Sequence, residues 1–389
     1  MRTILVTGAT GRVGRHVVAG LQAAGVSVRA LVRTPETAGL PSGVELIQGD
    51  IHDPAAVRRA AENADAAFLL WPSFSADGAA AVVREVPRRV VYLSSLSAPS
   101  GGVWGDVEQL LQDKDWTFVR PSGFAVNAQN WAGDFRTGDV VRVPYPEAGR
   151  SMIHERDIAA VAVLTLLDAH HIGRTYDITG PEVVTQTEQI ETIARAIGKP
   201  MRVEALSDAA ARQAMLDLGA DPILAESSVG YWASLVDNPE PVTTTVAELT
   251  GQPARTFAEW ATEHAADFRV PTTSEVAHRY TEALAAGRLD EALALTAPDI
   301  IRVAPLETDG EEVEVKGTEA ILENARRQTA GIHYDAIDVL GPLITDNHFA
   351  IRFTFHHGPT HTTKLSLCTV DQGQITREEV FYYTPPSGS

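Results

Sequence analysis

The chain has 389 residues but only one cysteine, Cys368, and no apolar run approaching the ~20 residues that a membrane-spanning helix requires. No internal disulfide can form, which fits a reducing cytoplasm. Positive charge is scarce: 32 Lys and Arg stand against 51 Asp and Glu, a net charge of −19. Such a chain is expected to be soluble and to repel nucleic acid and anionic membrane, so neither is expected as a partner. No charged-then-apolar leader is seen, because a strand-like run begins almost at once. Hydrophobic residues make up 44% and charged residues 21%. That is an ordinary globular composition with ample material for a core. The length predicts two or three domains.

The stretch Thr3-Ile-Leu-Val-Thr-Gly-Ala-Thr-Gly-Arg-Val-Gly14 organises the first part. Ile4, Leu5 and Val6 suit a short buried strand. Gly8, Gly11 and Gly14 follow at three-residue spacing, and Val13, Val17, Val18 and Leu21 then recur at helical spacing. Strand, glycine turn and helix in this order predict a dinucleotide site. The first glycine permits a tight turn, the second a close approach of the backbone to pyrophosphate, and the third close helix–strand packing. A purely structural glycine turn is the alternative. The residues expected to touch the cofactor here are Gly8, Thr10, Gly11, Arg12, Val13 and Gly14.

Further strands are expected at Val26–Arg33, Val44–Asp50, Ala66–Pro72 and Arg89–Ser95, separated by helical stretches. Asp53 and Pro54 are expected to start one of those helices as its cap and first residue. This alternation predicts an α/β domain with a doubly wound parallel sheet. Arg33 closes the second strand, where an acid would hold a ribose 2′-hydroxyl and an arginine favours a 2′-phosphate. The expectation is therefore NADP(H) rather than NAD(H), with a solvated surface arginine as the alternative. Asp50 is read either as a contact to the adenine edge or as a turn-forming aspartate. Ile51, Leu70, Trp71 and Ser94, at or beyond strand ends, complete the expected cofactor contacts.

Several phrases resemble the NmrA-like branch of the atypical short-chain dehydrogenases. They are the glycine turn, Val28-Arg-Ala-Leu-Val-Arg33, Gly49-Asp50, Tyr92-Leu-Ser-Ser95, Trp116-Thr-Phe-Val-Arg-Pro121 with Phe124 and Asn127, Asp157-Ile-Ala-Ala-Val-Ala162, Tyr176-Asp-Ile-Thr-Gly-Pro181 and Thr256-Phe-Ala-Glu-Trp260. The resemblance covers about residues 1–268. It implies an NAD(P)-binding protein, usually NADP, which either reduces quinones or carbonyls or senses redox state without turnover. One departure matters. Conventional short-chain dehydrogenases carry a Tyr-x-x-x-Lys pair after the fifth strand, in which the phenol passes a proton to the carbonyl. Here Tyr92 lies inside that strand and Lys114 is out of register. A reductase needs another acid: Ser95, Asp106, Glu108 or a bound water, with a solvated helix face as the alternative for the two carboxylates. Tyr231 and Trp232 are read either as core or as substrate wall.

A second unit is expected from residue 271, after Val270-Pro-Thr-Thr-Ser274. Residues 271–389 hold 9 Lys and Arg against 18 Asp and Glu, so acid is denser there. Helices are expected near 275–286, 289–295 and after Thr318, with an acidic loop at 307–314. Strands are expected at Ile300–Val303, Tyr334–Leu340, His348–His357, Thr362–Asp371 and Gln374–Tyr383. Gly287-Arg-Leu-Asp-Glu-Ala, Lys316-Gly-Thr-Glu-Ala-Ile and Gly373-Gln-Ile-Thr-Arg-Glu-Glu-Val-Phe-Tyr resemble the SnoaL-like group of the nuclear transport factor 2-like fold. That resemblance implies an α+β cone with a curved antiparallel sheet, found in polyketide cyclases, isomerases, hydratases and non-catalytic dimerising domains. Candidate polar groups are Arg302, Tyr334, Arg352, His356, His361, Glu378 and Tyr382. Glu378 and His356 are the favoured acid and base of a pocket, with surface or subunit-contact roles as the alternative. His356, His357 and His361 lack an acidic or thiol ligand, so no metal is expected.

The combined expectation is a cytoplasmic homodimer with residues 1–270 as an NADP-binding Rossmann domain and 271–389 as the cone. It reduces a ketone, enone or quinone of an aromatic or polyketide intermediate, with Glu378, His356 and Ser95 as catalytic groups. The cone would then perform or assist a cyclisation, dehydration or isomerisation. A non-catalytic NADP(H) sensor dimerised through the cone, or a cyclase in which only the cone is catalytic, remain the other readings.

Overall fold

The computed structural model describes residues 2–217, 222–305, 312–329, 335–358 and 360–383. The chain divides into two compact units, Met1–Arg269 and Val270–Ser389. Among the described residues no helix is long and apolar enough to cross a membrane.

The first unit is built on β1 (Thr3–Val6), β2 (Ser27–Val32), β3 (Glu45–Gln48), β4 (Ala66–Leu70), β5 (Arg89–Leu93) and β6 (Asp115–Pro121). Outside this run lie β7 (Val140–Pro144) and β8 (Gly149–Arg150), followed by β9 (Arg174–Ile178), β10 (Val184–Thr185) and β11 (Arg202–Leu206). A seven-stranded parallel sheet runs in the order β3-β2-β1-β4-β5-β6-β9. Its order reverses between β1 and β4, which opens a crevice at the carboxyl ends of those strands.

Both faces of the sheet are covered, so the central strands β1, β4 and β5 are predominantly apolar. On one face α1 (Gly14–Ala23) sends Val17, Val18 and Leu21 onto Ile4, Val6 and Ala30. The other face receives α2 (Pro54–Ala61), α3 (Ala79–Glu85) and α4 (Val103–Leu110) against Leu5, Leu31, Leu69 and Val90. Asp53 caps α2 as its sequence predicts, accepting the Ala55 N–H at 2.9 Å, with Pro54 first in the helix. After α5 (Ala132–Thr137) comes α6 (Glu155–Leu167), which packs on the α1 side. The Thr-x-x-Glu spacing of Thr185 and Glu188 forms a capping box at the start of α7 (Gln186–Ile197). The unit ends with α8 (Asp208–Asp217), α9 (Pro222–Asp237), α10 (Thr245–Thr250) and α11 (Phe257–Glu263). Trp260 and Phe268 join Phe135, Val141 and Ile193 in a separate apolar cluster.

The second unit carries α12 (Thr273–Ala285), α13 (Leu289–Leu293) and α14 (Thr318–Thr329) against one face of a six-stranded sheet. Its strands are β12 (Thr296–Pro305), β13 (Glu312–Lys316), β14 (Ala336–Ile344), β15 (His348–His357), β16 (Thr360–Asp371) and β17 (Gln374–Tyr383). The order is β13-β12-β17-β16-β15-β14, antiparallel except for the parallel pair β12–β17. Two expectations change here. Residues 312–314 belong to strand β13 rather than to an acidic loop, since Val313 and Val315 pair with Ala304 and Arg302. The other concerns strand Gln374–Tyr383, where simple alternation sets Ile375, Arg377, Glu379 and Phe381 against Thr376, Glu378, Val380 and Tyr382; a register shift between Thr369 and Val370 instead puts Ile375 on the buried face with Glu378 and Val380. Tyr334 lies outside the described residues.

Candidate active site

The turn between β1 and α1 has the shape its glycines predict. Gly8 has φ +62°, and the Gly11 N–H closes the turn on Gly8 O at 2.9 Å. A Cβ on Gly14 would lie 2.0 Å from Gly8 O, so the helix can leave the strand this closely only with glycine there. No side chain caps α1; Gly11 O and Val13 O accept the Arg15 and His16 N–H groups at 3.2 and 3.0 Å, and the positive dipole end of the helix is left for an anion. Arg12 and Arg15 flank the turn, held by carbonyls of Val126 and Thr10 at 3.3 and 2.9 Å. These residues fit a dinucleotide pyrophosphate. Leu70, at the end of β4, lies beside Gly8, while Thr10 is exposed and Val13 buried.

Arg33 follows β2 and is exposed. Asp50 forms a turn: its Oδ1 accepts the His52 N–H at 2.9 Å and lies 2.7 Å from the His52 ring. The His52 N–H and ring hold its carboxyl below the usual range, with a smaller contribution from Arg33. Ile51 is half-buried within the same turn. Trp71 is buried, donates Nε1–H to Ser75 O at 2.8 Å and meets His52 edge-on.

Beyond the ends of β5 and β6 lies a cavity of about 720 Å³. Its floor includes Ser95, Pro121 and Ser122, and its walls include Phe74, Trp104, Tyr231 and Trp232. Tyr231 and Trp232 therefore line a cavity rather than the core. Ser95 Oγ is 2.9 Å from Ser97 Oγ and opens on this space. Ser94 does not. Its hydroxyl is buried and donates to Glu108 Oε1 at 2.5 Å. Glu108 is also clamped by Arg120 through Nε at 2.8 Å and Nη2 at 2.5 Å. The solvated-face reading of Glu108 thus fails, because α4 turns it inward onto an arginine that no periodicity reveals. Asp106, two residues away, is exposed. Tyr92 is fully buried in β5, and burial raises its phenol well above the ordinary range.

In the second unit Glu378 is completely buried. Arg302 donates to its Oε2 through Nε at 2.7 Å and Nη2 at 2.6 Å, while Ser366 and Lys364 reach Oε1 at 2.7 and 3.3 Å. Tyr280 completes the set at 3.5 Å. Burial opposes ionisation of this carboxyl, but Lys364, Arg302 and Ser366 outweigh it and bring it down to about 2. Such a carboxylate is a poor base.

His356 is elsewhere. Its Nε2 lies 2.7 Å from Asp338 Oδ2. Glu378 pairs through Cys368 to Phe349, on the buried face. His356 falls on the opposite face with Thr354 and Arg352. The favoured acid/base pair is therefore not assembled, because the sheet itself separates the two groups. Arg302, Ser366 and Lys364 are the partners that the pairing brings to Glu378. Only the cross-strand register could have found them. Among the described residues no group of three His, Cys, Asp or Glu side chains is arranged to hold a metal.

Comparison with known proteins fits this geometry. An NAD(P)H-binding family model matches residues 8–169, and a SnoaL-like domain model matches 277–378. The (4-alkanoyl-5-oxo-2,5-dihydrofuran-3-yl)methyl phosphate reductase of Streptomyces griseus is 39% identical over 280 residues, covering 68% of this chain and 99% of that protein. The NAD(P)H azoreductase of Xenophilus azovorans is 34% identical over 282 residues, with 68% and 99% covered. Among solved structures, an Escherichia coli NADPH-dependent quinone oxidoreductase in complex with NADPH shares the fold. Its TM-score is 0.58 at 24% identity, covering 67% of this chain and 99% of that one. The chain accordingly belongs to the NmrA-like family of NAD(P)H-binding Rossmann oxidoreductases, joined here to a C-terminal SnoaL-like domain.

Proposed function

We propose that the first unit is an NADPH-dependent reductase of a ketone, enone or quinone belonging to an aromatic or polyketide intermediate. The observation that carries this is the aromatic-walled cavity at the carboxyl ends of β5 and β6, two and three strands along the sheet from the glycine turn. Gly8–Gly14 would hold the pyrophosphate of a bound dinucleotide, and this space lies at the same carboxyl edge of the sheet, beyond β4. When bound, the cofactor supplies hydride. Phe74, Trp104 and Trp232 offer apolar surface to a flat acceptor, and Ser95 offers a hydroxyl to its oxygen. Relatives named as an oxo-dihydrofuran phosphate reductase and an azoreductase support reduction of a small acceptor.

Arg33, with Arg12 and Arg15 nearby in the turn, is the proposed anchor of the 2′-phosphate, and Asp50 the neighbour of the adenine. Replacing Arg33 by alanine should cost NADPH about one charge-assisted contact, roughly 10-fold or more in affinity, while NADH is unaffected. Fluorescence titration with both cofactors checks this. An unchanged NADPH preference refutes the assignment.

The cone supports assembly better than chemistry. A cyclisation, dehydration or isomerisation step there cannot use Glu378 and His356 together. On the sheet face away from the helices, Leu340, Arg352, Leu365 and Phe381 form one cross-strand row, and Leu343, Ala350, Leu367 and Glu379 the next. Leu343 is 70% exposed, Leu340 55% and Phe381 49%. A two-fold axis on β16 between Leu365 and Leu367 would set Arg352 of one copy over Glu379 of the other. We therefore propose a homodimer through this face. Light scattering should give a dimer for the native chain and a monomer for Leu365→Glu. A monomeric native chain sinks the proposal.

A further inference from the structure

We infer that Tyr231 is the proton donor of the reduction, supplied from α9 in place of the tyrosine that is missing after β5. The inference rests on the reductase reading above. Ile223, Ser227 and Tyr231 recur at four-residue spacing and all line the cavity, so one face of α9 closes it. The phenol hydroxyl lies 2.6 Å from Glu240 Oε1. Glu240 is buried and holds three further donors: Arg150 Nε and Nη2 at 3.1 and 2.9 Å, and the Ser151 N–H at 3.1 Å. The Tyr231 O–H can therefore rotate toward a ligand without leaving this carboxylate unpaired. Arg150 also sits 5.7 Å over the Tyr231 ring and fixes its plane.

The other hydroxyls of the cavity serve this role less well. Ser95 and Ser97 bond each other, and an alcohol is a far weaker acid than a phenol. Tyr92 is sealed within β5. Burial and the Glu240 charge raise the Tyr231 phenol above its ordinary value, so it stays protonated throughout the neutral range.

The step balances simply. Hydride adds to the electrophilic carbon of the acceptor, and the carbon–oxygen π pair moves to oxygen. The Tyr231 Oη–H bond breaks as the new O–H bond forms, and solvent reprotonates the phenolate. An isolated ketone yields a strongly basic alkoxide that needs this proton at once. A quinone yields a delocalised anion that does not. Dependence on Tyr231 should therefore split by acceptor.

Tyr231→Phe in the full chain tests this. Turnover of an aryl ketone with NADPH should fall roughly 100-fold or more, while that of a simple quinone changes little. A second readout avoids turnover: 4-nitrophenolate, an oxyanion with a visible band, titrated in the presence of NADP⁺. The variant should bind it roughly 10-fold more weakly and lose the band shift, with NADPH binding and melting unchanged. Full ketone turnover and unchanged nitrophenolate binding in Tyr231→Phe would overturn the inference. If the native protein reduces neither acceptor yet Tyr231→Phe still weakens nitrophenolate, the donor site stands and the reductase reading falls.

Discussion

Glu378→Ala is expected to unfold the second unit under conditions where the first stays folded. The substitution strands Arg302 and Lys364, whose side chains are 12% and 16% exposed, opposite an empty site. Removing one partner of a buried ion pair costs about 3–5 kcal/mol, because the other charge is left unpaired in a low dielectric. For a unit of this size that lowers its melting temperature by roughly 15 °C or more. All six tryptophans precede residue 270, so indole fluorescence follows the first unit while calorimetry sees both. Loss of the second transition with unchanged fluorescence melting is the expected result. Exchanging the pair for apolar residues, as in Glu378→Leu with Arg302→Met, should be much milder. If the single and double variants melt alike, the ion pair is not what holds this core.

Acid reports on the same carboxyl from the other side. Its folded value is depressed from 4.5 to about 2. The stability it contributes is complete above the unfolded value and declines as pH falls from about 4.5 toward 2. That contribution is on the order of 3 kcal/mol. Calorimetry across this window should show the second transition moving down in the native chain, and moving less in the Glu378→Leu, Arg302→Met double variant.

Gly14→Ala is expected to abolish cofactor binding and to destabilise the first unit. The new Cβ would meet Gly8 O at 2.0 Å and Gly8 C at 2.7 Å, both backbone atoms. Neither can yield without opening the turn, so α1 must back away from β1 and carry its N–H groups with it. Gly11→Ala differs. Its Cβ would stand 3.1 Å from Gly8 O, a contact the turn can absorb, although the methyl would occupy the proposed approach to the pyrophosphate. Gly11→Ala should therefore melt within about 1 kcal/mol of the native protein while binding NADPH poorly, whereas Gly14→Ala should lose both stability and binding. Calorimetry with a fluorescence titration separates the two. Native-like NADPH affinity in Gly14→Ala would contradict the phosphate role of the turn.

The first unit was readable because its signals are local. Glycine spacing, the Asp53 and Thr185 caps and the apolar runs of β1, β4 and β5 each lie within a dozen residues. Tyr231 and Glu108 were not, since only tertiary packing decides which face of α9 or α4 turns inward. The cone was harder still. Alternation along β15 is enough to place Phe349, Ile351 and Phe353 on one face and His356 on the other. It could not carry that assignment across two further strands to Glu378. A single register shift at Thr369 breaks the count, and the Arg302 partnership arises across a parallel pairing between strands more than 70 residues apart.

That parallel pairing has a consequence in time. β17 is the last described strand, yet it lies inside the sheet, between β12 and β16. Until it is delivered, the β14–β15–β16 meander and the β12–β13 hairpin are separate pieces with open edges. During synthesis the Rossmann unit can fold while the cone is still being made, but the cone closes only when its final strand emerges. Glu378 travels on that strand. Arg302 therefore waits through most of the translation of its own domain for the carboxylate that neutralises it.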